Sequence, residues 1–114
     1  MQDKLFDSPD ETPEHSVIAR FHLGGDDFGE PDERSLVFEV ERCIGAAVVA
    51  AGVGEVDGNE FGGGEVAIYA CGPDAKALFQ VMEPGLRMLP FRPAHAVLRY
   101  GEPGDDVASD RVEL

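Results

Sequence analysis

Residues 54–79 read GEVDGNEFGGGEVAIYACGPDAKALF. Glu65–Cys71, EVAIYAC, is rich in β-branched and aromatic residues, and the glycine run Gly62-Gly63-Gly64 separates it from Gly54–Phe61. The two segments therefore predict a β-hairpin. Gly72-Pro73-Asp74 then opens a helix, because proline suits the first helical turn and a carboxylate is favoured near the positive end of the helix dipole. Ala75, Leu78, Val81, Met82, Leu86 and Leu89 recur at helical spacing, and Pro84 is expected to kink or interrupt that helix.

Outward from this stretch the pattern continues on both sides. Pro90 and Pro93 lead into AHAVLRY, a strand over Ala94–Tyr100, and Ser16–Leu23, SVIARFHL, is a first strand that stops at Gly24-Gly25. Between Asp32 and Ala51 the residues Leu36, Val40, Cys43, Ile44, Ala47, Val48 and Ala51 define a helical stripe, with Pro31 near its start and Gly52 at its stop. Its opening SLVFEV also alternates as a strand would, so helical propensity is firm only from about residue 39 onward. Strand, helix, hairpin, helix, strand is the βαββαβ arrangement. It predicts an α+β, ferredoxin-like domain over 16–101: a four-stranded antiparallel or mixed sheet, order 4-1-3-2, with two helices on one face. Residues 1–15 offer little apolar material beyond Leu5 and Phe6 and read as an acidic flexible tail. Residues 102–114 read as a second acidic tail whose RVEL is a candidate short edge strand.

At 114 residues, 43% of them hydrophobic, with a mean hydropathy of −0.16, the composition is that of one globular domain. No apolar run approaches a membrane span and the N-terminus lacks a signal-like stretch, so a cytoplasmic protein is expected. Cys43 and Cys71 stand apart without metal-ligand spacing and are expected to be reduced and partly buried. The formal net charge of −14 is uneven: residues 1–35 carry −7, 36–100 only −3, and 101–114 carry −4. Such a surface repels nucleic acid and anionic membranes, while a basic protein is an admissible partner.

The segment DGNEFGGGEVAIYACGPDAKALF, Asp57 to Phe79, together with VLRYG at Val97–Gly101, resembles a group of small bacterial proteins with EFGGGE and IYxYGPDA-like stretches. The group consists of ferredoxin-like domains of unassigned function. The resemblance covers roughly the second half of the chain and implies the same hairpin–helix–strand order. It transfers no catalytic residue. Where those proteins tend to carry an aromatic before the glycine, this chain has Cys71.

Strand alternation assigns the candidate functional face. Val17, Ala19, Phe21, Leu23, Val66, Ile68, Ala70, Ala96, Leu98 and Tyr100 fall on the side expected to lie under the helices. Ile18, Arg20, His22, Ala67, Tyr69, Cys71, His95, Val97 and Arg99 fall on the other, where Val56 pointing inward would also turn Glu55, Asp57 and Asn59. The candidate ligand- or interface-binding residues are thus Arg20, His22, Tyr69, His95 and Arg99. The arginines suit an anion and the histidines acid–base work, although polar cross-strand pairs on a wet or dimer-buried face account for the same pattern. Cys71 shares this side with His22, which leaves a Cys/His pair open. The acidic loop Asp26, Asp27, Glu30, Asp32, Glu33 lacks EF-hand spacing, and Gly62-Gly63-Gly64 is not a phosphate-binding loop. No catalytic residue, metal ligand or cofactor is assigned. The leading expectation is a non-catalytic interaction module, homodimeric through its open sheet face. The alternatives are an acidic inhibitor or immunity-type protein neutralising a basic toxin or nuclease, and a small enzyme using the His/Arg/Tyr face.

Overall fold

The computed structural model describes residues 14–24, 29–101 and 107–114. Over these the chain runs β1 (His15–His22), α1 (Pro31–Ala51), β2 (Glu55–Gly62), β3 (Glu65–Gly72), α2 (Ala75–Met88), β4 (Ala94–Arg99) and β5 (Ser109–Glu113). The N-terminal tail as far as residue 13, Asp26 and Asp27 of the acidic loop, and residues 102–106 lie outside the described residues.

All neighbouring strands are antiparallel, in the order β2-β3-β1-β4-β5. The sheet thus has five strands rather than the expected four. The fifth forms because β4 would otherwise leave a row of backbone donors and acceptors bare. β5 pairs along it from Arg99↔Ser109 to His95↔Glu113, and Val112 and Leu114 reach the core. Arg87 of α2 fastens this end by donating to the Leu114 carbonyl at 2.9 Å.

The first helix begins at Pro31, so SLVFEV is helical rather than extended. The Glu33 carboxylate holds its start, accepting from the N–H of Gly24 at 2.9 Å and of Glu30 at 2.8 Å. Gly52, left-handed at φ 69°, ends it. The buried stripe is Val37, Val40, Ile44 and Val48, whereas Leu36, Cys43, Ala47 and Ala51 are exposed. The expected stripe shares Val40, Ile44 and Val48 with the real one; it misses Val37 and extends onto a flank, Leu36, Cys43, Ala47 and Ala51, that faces solvent. Close approach of the helices sets the edge of the stripe: a Cβ on Gly85 would stand 2.5 Å from Ile44 Cγ1, so α2 seats directly on Ile44 and leaves Cys43 outside. Cys43 is therefore exposed rather than partly buried, while Cys71 is half-buried.

The second helix is capped by Asp74, which accepts from the N–H of Lys76 at 3.0 Å and Ala77 at 3.3 Å. His15 Nδ1 accepts from the N–H of Ala75 at 3.0 Å. The helix continues through Pro84 instead of breaking there. Pro84 and Gln80 both face solvent, so the carbonyl that loses its partner stays in water. The helices pack on one face of the sheet, where Val17, Phe21, Val66 and Ile68 of the strands and Leu78, Met82 and Leu86 of α2 are all fully buried. Among the described residues no helix is long and apolar enough to cross a membrane.

Candidate functional site

The open face follows from the pairing of the five strands, which aligns its side chains in cross-strand rows. One row runs Glu55, Cys71, Ser16, Arg99, Ser109 from β2 to β5. The next runs Gly58, Tyr69, Ile18, Val97, Arg111, and the third Glu60, Ala67, Arg20, His95, Glu113. Glu65 and His22 begin a shorter fourth row. Ile18, Tyr69 and Val97 are half-buried at the centre. Carboxylates collect on β2, and Arg99 and Arg111 stand on β4 and β5.

The β2 margin differs from simple alternation. The register shifts between Val56 and Gly58, so Asp57 bulges and every later residue changes side. Asn59 therefore lies opposite Ile68 on the helix side, where its Nδ2 donates to Glu41 of α1. Glu60 takes its place on the open face. An Asp-Gly pair inside a strand was the available signal.

Of the five candidate residues, Arg20 and His95 are directly paired. Tyr69 lies diagonally from Arg20, its hydroxyl donating to Glu60 Oε1 at 3.0 Å. That hydrogen bond to a carboxylate, with burial second, raises the Tyr69 pKa above the ordinary phenol value. His95 is pushed below its ordinary value, first by burial and then by Arg111. His22 stands further along, its Nε2 3.0 Å from Glu65 Oε2. Arg99 pairs with Ser16, four residues along β1 from Arg20, which is about 13 Å at strand rise. The two arginines therefore do not converge on one anion. A depression of about 230 Å³ beside Arg20 is lined by Glu60, Phe61, Gly62, Glu65 and Ala67, so it sets two carboxylates against one guanidinium.

The Cys/His pairing left open by the sequence is absent among the described residues. Cys71 lies opposite Ser16 and His22 opposite Glu65, six residues apart along the strands, about 20 Å. Cys71 instead donates to Asp57 Oδ1 at 3.6 Å, and its pKa is pushed up to about 12 by burial first and by the Glu14 and Asp57 carboxylates next. A thiol that keeps its proton is a poor nucleophile and a poor ligand. Glu55, Asp57 and Cys71 do bring three potential ligand atoms within 4.8 Å of one another. The carboxylates suit hard cations and the thiol softer ones.

Sequence reasoning also missed Glu60, Glu65, Arg111 and Glu113 on this face, the first through the bulge and the last two because β5 was only a candidate strand. Compared with protein-family models, curated proteins and solved structures, the chain has no significant match.

Proposed function

We propose that this chain is a ferredoxin-like βαββαβ domain, extended by β5, that works as a non-catalytic interaction module and self-associates through its open sheet face. One observation carries the reading: the row Tyr69–Ile18–Val97 forms an apolar centre, with Glu55, Asp57 and Glu60 at one margin and Arg99 toward the other, where Arg111 is offset by Glu113. A face that is acidic on one side and basic on the other complements a rotated copy of itself, as an isologous dimer requires. The apolar centre supplies burial and the charges set register and steering. The spread of Arg20, His22 and Arg99 along the strands and the protonated Cys71 weigh against chemistry on this face.

Static light scattering at high micromolar concentration tests it. The wild type should have the mass of a dimer and Val97→Glu that of a monomer with an unchanged far-ultraviolet circular dichroism spectrum; a monomeric wild type would end the reading. A basic protein partner is the second reading, favoured by the acidic β2 margin and the net charge of −14. It predicts a monomer in isolation.

A further inference from the structure

The row geometry does more than make self-association reasonable; it selects how two copies would face each other. Two sheets packed face to face lie about 10 Å apart with strands within about 30°. A two-fold axis that runs along the strands keeps each row at its own level and reverses the strand order above it. The remaining freedom is which strand, or which gap between strands, the axis lies on.

An axis on β1 sets Arg20 against the partner's Arg20 and Glu60 against the partner's Glu113, like charge on like. An axis between β1 and β4 sets Arg20 against the partner's His95 and leaves the acidic strand β2 outside the interface. An axis on β3 overlaps only three strands and leaves Val97 and Arg99 uncovered. Between β1 and β3 the conflicts vanish. β2 then covers the partner's β4, and β3 covers the partner's β1. Glu55 faces the partner's Arg99, Glu60 faces the partner's His95, and Tyr69 faces the partner's Ile18. Sizes match as well as charges: Gly58 and Ala67 lie opposite the partner's Val97 and Arg20.

We propose, building on the self-association reading, that the interface occupant is a second copy of this chain related by a two-fold axis along the strands between β1 and β3, with Glu55 paired to the partner's Arg99 at both ends. β5 stays outside the overlap, so Arg111 and Glu113 pair within their own strand, as their 2.6 Å contact already does.

A charge swap between chains tests this, measured by sedimentation equilibrium. Glu55→Arg alone places two arginines at each of the two symmetric contacts, and Arg99→Glu alone places two carboxylates there. Each variant should self-associate about tenfold more weakly than wild type, from two rim contacts of about 0.7 kcal/mol each. An equimolar mixture should recover association to near the wild-type level as a heterodimer, since both contacts then pair Arg with Glu. Glu55 is exposed and Arg99 only half-buried, and an unchanged far-ultraviolet circular dichroism spectrum confirms that each variant folds. If the single variants associate like wild type, or the mixture is no tighter than its components, the axis placement is wrong even where Val97→Glu still yields a monomer. If the wild type is itself a monomer, the placement and the self-association reading fall together.

Discussion

The two faces of this sheet are built from alternate residues of the same strands, yet they solve different problems. On the helix side Val17, Ala19, Phe21, Val66, Ile68, Ala70, Ala96 and Leu98 are all 4% exposed or less, one uniform apolar layer. On the open side the character changes across the sheet, from Glu55 and Glu60 on β2 through Tyr69, Ile18 and Val97 to Arg99 on β4. A uniform face is insensitive to which strand lies where, because any apolar neighbour will fill it. A graded face has direction, and direction is what a specific contact needs. Stability should therefore reside on one face and association on the other.

The sharpest contrast is expected at Phe21. Phe21→Ala should cost about 3–5 kcal/mol through lost burial and a residual cavity, read as a large fall in the urea midpoint. A loss under about 1 kcal/mol would break the assignment of stability to the helix side. Next in size is the crossing where β2 begins and β3 ends. A Cβ on Gly54 would stand 2.1 Å from the Cys71 carbonyl oxygen, and Gly54 has φ 147°. Gly54→Ala should cost about 2–4 kcal/mol, because backbone rather than a flexible side chain must move. Its urea midpoint should fall well below that of Gly62→Ala, a position with open space around it.

A smaller effect tests the edge between the faces. His15→Ala removes the acceptor for the Ala75 N–H at the start of α2 and should cost about 1 kcal/mol. His15→Asn should recover part of it, since an amide oxygen can replace the imidazole nitrogen. An equal loss in both variants would place the stabilisation in the edge-on contact of His15 with Tyr100, ring centroids 5.7 Å apart, rather than in the cap.

Titration of the sheet's side chains shows only at the extremes of pH. The Cys71 pKa is raised in the folded chain to about 12, so its contribution is fully present below its unfolded value near pH 9 and is lost as pH rises toward 12. The urea midpoint should accordingly decline above pH 9, less steeply in Cys71→Ser. Tyr69 on the open face and Tyr100 on the helix side, both raised by hydrogen bonds to carboxylates, add to that decline above pH 10. His95, depressed by burial, acts at the other end: its contribution is present above pH 6.5 and is lost as pH falls through its lowered value. At pH 8 iodoacetamide should label exposed Cys43 well before Cys71. Equal labelling would show that the Asp57 side of the open face does not hold the thiol as described.

How much of this was legible in advance differs from element to element. The hairpin, the start of α2 at Asp74 and the inward set of β1, β3 and β4 follow from patterns a few residues long, and the structure places them there. The helix α1 was legible as a helix and in the Val40, Ile44 and Val48 part of its stripe, but its edges were not, since Cys43 and Val37 both fit a helical period with those residues until Gly85 of α2 meets Ile44. Arg20, Tyr69 and His95 were legible as neighbours, because three well-patterned strands carry them. Arg20 with Arg99 and Cys71 with His22 were not separable from sequence, because alternation fixes the side of a residue and says nothing of its distance along the strand.

From the sequence alone come the kinds of elements, their order, the residues that turn inward on the central strands, and the acidity that disfavours polyanions. Each depends on local propensity, period or total charge, which neighbouring residues settle among themselves. Only the tertiary structure decides that Ser109–Glu113 joins β4 as a fifth strand, that Asp57 bulges and turns Asn59 inward, and that the charges of the open face fall into rows. These depend on which backbone groups find partners across long stretches of chain. A one-residue change of register reverses a whole strand's sides, so no local pattern can stand in for the pairing itself.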